Sequence, residues 1–134
     1  MAFDAFLKIA GIQGESADGT IPIESFSWGV TGPREAQTGS GLGKPVFTDL
    51  TIVKLVDSTS PKLLQLAVDG KFLPAVQLTC RKAGGQQEFA FYKITGVLIA
   101  LLRDAGNRHG GEFPTEEVSF NFHNLDMKVG FGKF

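Results

Sequence analysis

The clearest structural signal in the chain is the run Glu117-Val118-Ser119-Phe120-Asn121-Phe122. Within it the apolar residues Val118, Phe120 and Phe122 alternate strictly with polar ones. Successive side chains of a β-strand point to opposite faces, so these three apolar side chains share one face. The run therefore predicts a strand with one face in a core and the other against water or a polar surface.

Shorter runs of the same character predict several more strands. They lie at residues 5–9, 21–28, 46–55, 74–81 and 88–94. The pair Gly84-Gly85 separates the last two and predicts a hairpin, and Gly96 is expected to bend a strand that continues to Leu102. Seven or so short strands with turn residues between them favour a sandwich or a barrel.

One short helix is predicted between two clear boundary signals. Ser60 is suited to cap its start, Pro61 to occupy its first helical position and Gly70 to end it. Its narrow apolar stripe consists of Leu63, Leu64, Leu66 and Ala67. A short helix is stabilised mainly by docking on other elements, so we expect it to flank the sheet. The predicted fold is thus a mostly β, sandwich-like barrel with one flanking helix and a long extended loop.

The long loop is the segment 31–45, whose glycine-rich part is TGSGLGK at residues 38–44. A phosphate-binding loop needs two glycines five residues apart, followed by Lys and then by Ser or Thr, and a helix must come next. Here position 38 is Thr, and Pro45 follows Lys44 before a predicted strand. The segment is therefore expected to be a projecting loop or a long hairpin rather than a nucleotide site. Its length favours a functional role.

The composition is that of a single globular domain covering residues 1–134. Such a length is enough to bury a core without disulfides or metal. The 13 Lys and Arg residues against 14 Asp and Glu give a net charge of −1, so no surface for nucleic acid or an anionic membrane is expected. The single cysteine, Cys80, shares a strand face with Val76 and Leu78 and is predicted to be a small buried hydrophobe.

The start of the chain bears on where the protein acts. Its first residues, MAFDAFLK, lack the basic start and the long apolar stretch of a cleavable signal peptide. No run approaches the ~18–20 apolar residues that a membrane span needs. We therefore expect synthesis in the cytoplasm, no membrane insertion, and export, if any, by a route that reads no cleavable signal.

No group of residues points to catalysis or to a metal. His109 lies in a turn-like run and His123 follows a strand, so no His pair has the spacing of a zinc site. Glu116 and Glu117 alternate across a strand and cannot face one substrate together. The Gly-x-Ser-x-Gly motif of a nucleophile elbow is absent. No catalytic, cofactor-binding or metal-ligating residue is predicted, and the protein is not expected to be an enzyme.

Several stretches of the chain, in order, resemble one known family. They are FLKI at 6–9, GIQGES at 11–16, IESFSWG at 23–29, FTDLTIVK at 47–54, DSTSPKL at 57–63, LTCRKAG at 78–84 and EVSFNF at 117–122. Together they resemble the haemolysin-coregulated protein (Hcp) family, the tube proteins of type VI secretion systems. The similarity runs nearly from end to end and is weakest over residues 31–46.

The resemblance implies a β-barrel flanked by a helix, with six subunits in a ring and rings stacked into a hollow tube. It further implies that a contracting sheath drives this tube, tipped by a spike protein, out of the cell. Small effectors would travel in the lumen. The protein would then be a structural subunit that is made in the cytoplasm and secreted.

Two sets of residues are candidates for contacts between subunits. The segment 32–44 is long, polar and glycine-rich, and we expect it to reach the neighbouring ring. Its candidate contact residues are Gly32, Gln37, Thr38, Ser40, Leu42 and Lys44. Trp28 is either a core aromatic whose indole N–H is satisfied locally or an anchor between subunits, where Trp is enriched.

Three other functions remain open from the residues alone. The first is a monomeric β-sandwich binding module, although the single Trp and single Tyr offer little for an aromatic platform. The second is a hydrolase without a recognisable motif. The third is the tail tube of a phage-like particle, which shares the architecture that the resemblance implies.

Overall fold

The computed structural model describes residues 3–33, 43–85, 87–111 and 113–132. Ten strands and one helix lie within these residues. The strands are β1 (Phe3–Ile9), β2 (Ile21–Ile23), β3 (Ser25–Ser27), β4 (Val30–Thr31), β5 (Val46–Phe47), β6 (Leu50–Leu55), β7 (Leu73–Lys82), β8 (Glu88–Ala105), β9 (Thr115–Asn121) and β10 (Asn124–Gly132), and the helix is α1 (Ser60–Asp69). The sequence predicted fewer strands, for two reasons. Two of its predicted strands, 21–28 and 46–55, are each divided in two, and β4 and β10 were not predicted.

The strands form one antiparallel sheet of eight and a small hairpin of two. Neighbours in the large sheet follow the order β2-β1-β7-β8-β9-β6-β3, and β10 also pairs with β8. The long strand β8 is shared, since residues 88–97 pair with β7 and residues 98–105 pair with β9. We call the strands β2, β1, β7 and β10 with the first half of β8 layer A, and the second half of β8 with β9, β6 and β3 layer B.

The two ends of this sheet come together without pairing. β2 and β3 are consecutive in the chain, and the Glu24 N–H between them donates to the Val53 carbonyl at 2.7 Å. In the described residues no ladder joins β2 to β3, so the sheet is sandwich-like rather than closed. The predicted mostly β, sandwich-like fold with one short helix is confirmed.

The bend that lets β8 serve both layers lies at Gly96, as predicted. Gly96 has φ +62°, a backbone conformation that favours glycine, and an added Cβ would lie 2.5 Å from His123. A bulge between Ile99 and Leu101 follows. β9 and β10 run one after the other along the same edge of β8, so β8, β9 and β10 together form one long arm.

The core is built from the inward faces of both layers. Its buried apolar residues are Ala5, Leu7, Ile9, Ile12, Ile21, Leu50, Ile52, Leu63, Leu73, Val76, Leu78, Cys80, Ala90, Ile94, Val97, Ile99, Val118 and Phe120. Val118 and Phe120 are fully buried, as their alternation predicted. Cys80 is a buried free thiol beside Val76 and Leu78, also as predicted.

The helix ends where predicted, but it begins one residue earlier and has a different cap. Gly70 ends it with φ +62°, whereas the N-cap residue is Thr59 and not Ser60. Ser60 is instead the first helical residue, and its hydroxyl accepts a hydrogen bond from the Asp57 N–H at 3.0 Å. Leu63 is buried, but Leu64 is 51% exposed, so its place in the predicted apolar stripe is wrong.

Candidate assembly surfaces and a buried ion cluster

The predicted ring-stacking segment starts and ends on a hairpin. Val30 pairs with Phe47 and Thr31 with Val46, so β4 and β5 hold the two ends of the segment side by side. Of its candidate contact residues, Gly32 and Lys44 are described and exposed at the two ends. Gln37, Thr38, Ser40 and Leu42 lie outside the described residues. The predicted projecting loop or long hairpin stays a prediction, because most of the segment lies outside the described residues.

Trp28 lies just before that hairpin, in a group of aromatic side chains. It is partly buried and meets Tyr92 edge to face, with ring centroids 6.0 Å apart. Tyr92 also contacts Phe26, which in turn contacts Phe3 at 6.3 Å. These contacts within the chain favour the core role of Trp28, and an anchoring role between subunits stays a prediction.

The strand β10 presents the most exposed apolar residues of layer A. Met127 is 53% exposed and Val129 is 67% exposed, on the side of the strand that elsewhere faces the core. β10 pairs with β8 along one edge, and no strand in the described part of the chain pairs with its other edge. An unpaired edge with exposed apolar side chains is a surface suited to pairing with another chain.

The outer face of layer A carries a polar row that crosses four strands. One row runs from Lys8 to Gln77, Lys93 and Asp126, each directly opposite the next across β1, β7, β8 and β10. These residues alternate along their strands with core residues and therefore point away from the core. A row of this kind, with charges of both signs, is suited to line an aqueous channel.

A group of charged side chains lies buried in layer B, where β6 and β9 meet the start of α1. The Lys54 ammonium contacts Glu116 Oε2 at 2.8 Å and Asp57 Oδ1 at 3.0 Å. It also donates to the Leu55 carbonyl at 2.9 Å and to Ser60 Oγ at 3.2 Å. We call Lys54, Asp57, Ser60 and Glu116 the Lys54 cluster. It ties the start of α1 to β6 and β9.

The carboxyl groups of this cluster have different surroundings. Burial alone would raise the pKa of Asp57, but hydrogen bonds from Thr59 and Lys54 outweigh it and lower that pKa. Glu116 Oε2 accepts hydrogen bonds from both Lys54 and Ser60, the latter at 2.9 Å. Each buried charge therefore has an opposite charge or a hydrogen-bond partner, as a buried ion pair requires.

Sequence reasoning missed the Lys54 cluster, although a signal for it was present. Lys54 stands on the same strand face as Leu50 and Ile52, and Glu116 on the same face as Val118 and Phe120. Two charges of opposite sign at core-facing positions of neighbouring strands predict a buried pair. The predicted alternation of Glu116 and Glu117 is confirmed, because Glu116 is buried whereas the Glu117 side chain is 32% exposed.

In the ranges that the structure covers, no three His, Cys, Asp or Glu side chains are placed to hold a metal ion. Likewise, no helix among the described residues is long and apolar enough to cross a membrane.

Comparison with known proteins settles the family. A family model described as "Type VI secretion system effector, Hcp" matches residues 6–129. The chain belongs to the Hcp family. The resemblance that the sequence suggested is thereby confirmed.

Individual Hcp proteins show the same relationship. The chain is 37% identical to protein Hcp1 of Pseudomonas aeruginosa over 136 residues, covering 95% of the chain and 83% of that relative. It is 25% identical to the "Major exported protein" of the same organism over 121 residues, covering 83% of the chain and 69% of that relative. The crystal structure of Hcp1 from Salmonella typhimurium matches with a TM-score of 0.82 at 32% identity, covering 96% of the chain and 87% of that structure.

Membership of the Hcp family fixes the general function. Hcp is a family of structural tube proteins of type VI secretion systems and not a family of enzymes, so the chain is a type VI secretion tube component. This favours the tube function over a monomeric binding module or a hydrolase. It also favours a type VI system over a phage-like particle.

Proposed function

We propose that six copies of the chain close into a ring and that these rings stack into a hollow tube. The observation that carries the ring is the unpaired edge of β10 with exposed Met127 and Val129. When a surface of one copy contacts a different surface of the next copy, the contact is head-to-tail. Such contacts close into a ring if the rotation between neighbouring copies is a whole fraction of 360°. In the ring, the β10 edge of one copy contacts the next copy.

The outer face of layer A faces the lumen of this tube. Its support is the polar row Lys8, Gln77, Lys93 and Asp126, which leaves the more apolar β10 edge for contacts between copies. Small effector proteins bind this face while they travel through the tube. The chain's net charge of −1 limits the repulsion between the many copies that a tube brings together.

Stacking of the rings uses the segment 32–44, with Gly32 and Lys44 at its ends. Its support is the β4–β5 hairpin, which brings both ends together and lets the residues between them project as a unit. Gln37, Thr38, Ser40 and Leu42 of this segment contact the adjacent ring. In this arrangement each ring presents the segment on one of its two sides and contacts the opposite side of the next ring. The same contact therefore repeats from ring to ring along an open stack.

The tube is exported when a contracting sheath drives it, with a spike protein at its tip, out of the cell. Support for export comes from the family and from the relative whose name is "Major exported protein". The sheath, the spike protein and small effectors are therefore the proposed partners. Export proceeds without a cleavable signal peptide, because the assembled tube is the exported form.

Deletion of residues 37–42 tests the stacking segment. We expect the variant to form single rings of normal mass but no stacks, and to be lost from the secreted fraction. Ring mass is measured by light scattering, stacks by electron microscopy, and secretion in cells with a working type VI system. Replacement of the same six residues by glycine and serine keeps the length and removes the contacting side chains, so this variant should also form single rings without stacks. Normal stacking and secretion of the deletion variant would contradict the proposal.

A further inference from the structure

The ends of β8 and β9 bring two carboxyl groups together on the inward side of layer B. Asp104 lies directly opposite Glu116, and Arg103 lies directly opposite Glu117. Since side chains alternate along both strands, these two pairs point to opposite faces. Arg103 and Glu117 form an ion pair of 3.0 Å on the outward face. On the inward face, two acidic groups are opposite each other.

Within the Lys54 cluster, the one cation is already fully used. The Lys54 ammonium has three N–H donors, and four oxygen atoms lie within hydrogen-bond distance of it. It neutralises charge on Glu116 and Asp57, and no donor remains for Asp104. Two carboxylates that share a site disfavour each other's ionisation, so one of them tends to keep a proton. The exposed Asp104 is the one that can exchange its proton with water, because Glu116 is buried.

We propose that protonated Asp104 and Glu116 form a pH-operated clamp on the end of the β8–β9 arm. When Asp104 is protonated, its hydroxyl donates to the Glu116 carboxylate and joins β8 to the Lys54 cluster. When Asp104 loses the proton, the two like charges repel and Asp104 turns towards water. The end of the arm, next to the connection between β8 and β9, is then held less firmly.

The groups that face Asp104 determine the direction of its titration. The hydrogen bond with Glu116 is the largest cause that raises the pKa of Asp104, followed by burial and the Glu116 charge. Lys54 acts in the opposite direction, and Asp57 is the remaining charged group of the cluster on this side. On β8 itself, the neighbouring charge Arg103 points to the other face.

The raised pKa fixes how the clamp responds to pH. Because the pKa of Asp104 in the folded chain lies above the ordinary value of 3.8, the clamp contributes its full stabilisation below that value. The stabilisation is lost as the pH rises through the raised pKa. Asp57 and Asp18 have lowered pKa values, that of Asp18 to about 2, so their stabilisation is lost in the opposite direction, as the pH falls.

Hydrogen exchange of the full-length protein tests the clamp. In the wild-type chain, we expect the protection of amides at residues 102–105 and 115–117, corrected for the intrinsic rate, to fall as the pH rises from about 4 to about 7. The clamp changes amide protection by up to about tenfold for each pH unit by which the pKa of Asp104 in the closed clamp exceeds its pKa in the open one. Asp104→Asn keeps a hydrogen-bond donor without a charge, so its amides should stay protected across the whole range.

Glu117→Gln is the matched control, because it changes the adjacent carboxyl on the outward face and should follow the wild type. An independent readout is the titration of the Asp104 carboxyl carbon in the wild-type chain by NMR, which needs no variant. A midpoint above 3.8 in the wild-type chain supports the clamp. A wild-type midpoint at or below 3.8, or a pH response in Asp104→Asn equal to that of the wild type, would overturn it.

Discussion

The pairing of Lys54 with Glu116 places two opposite charges at positions where the strand pattern calls for apolar side chains. Both residues are essentially inaccessible to water, and the ammonium and the carboxylate are 2.8 Å apart. Removal of one partner from such a pair leaves an unpaired buried charge, which destabilises proteins by roughly 3–5 kcal/mol. The pair is thus a strong constraint on how β6 meets β9.

Trp28 allows a direct test of a single residue. Trp28→Ala removes a partly buried ring that contacts Tyr92, and we expect it to lower the free energy of unfolding by roughly 2–3 kcal/mol. The mass of the assembled particle should stay the same. Thermal unfolding and light scattering of the same sample measure the two effects. A variant of unchanged stability that no longer assembles would instead identify Trp28 as an anchor between subunits.

Individual residues also show what the sequence could and could not predict. The burial of Cys80 and Phe120 followed from alternation within one strand, because each has apolar neighbours two residues away. The role of Ser60 could not be inferred in that way. Its hydroxyl donates a hydrogen bond to Glu116, which is 56 residues later in the chain. Rules for helix capping use only neighbouring residues and therefore cannot predict that contact.

Among the elements, β10 carries the proposed ring contact. Val129→Lys places a charge beside the unpaired edge, and charges on an edge strand oppose pairing with another strand. We expect this variant to remain folded and to lose the ring, so that the mass in solution falls to that of a single chain, 14.4 kDa. Light scattering measures the mass, and circular dichroism checks the fold.

Val68→Lys is the matched control for that substitution. Val68 is 73% exposed on α1, so the same change is made at a similarly exposed valine away from β10. The control should assemble like the wild type. If Val68→Lys dissociates the ring while Val129→Lys leaves it intact, the contact lies on the helix and the assignment to β10 is wrong.

The division of predicted strands reflects information that is not local. Residues 21–28 alternate as one strand, but β2 pairs with β1 whereas β3 pairs with β6. The break at Glu24 follows from which strands are available as partners on each side. By contrast, the end of α1 at Gly70 and the bend of β8 at Gly96 were predictable, because both depend on a backbone conformation that favours glycine.

At the scale of the whole molecule, the proposed contact surfaces occupy different parts of the fold. The β10 edge flanks layer A, the polar row crosses its outer face, and the β4–β5 hairpin holds the ends of the stacking segment. A subunit whose side, inner and axial contacts are separate can close into a ring and stack at the same time. The sequence predicted such a subunit through its family, since no single pattern in the chain specifies an assembly.

The mass of the native protein in solution tests the tube-subunit account most directly. Light scattering on the purified chain should give about 86 kDa, six times the 14.4 kDa of one chain, and electron microscopy of that sample should show rings with an open centre. A monomer of 14.4 kDa across a wide range of concentration, with no rings in the images, would contradict the account.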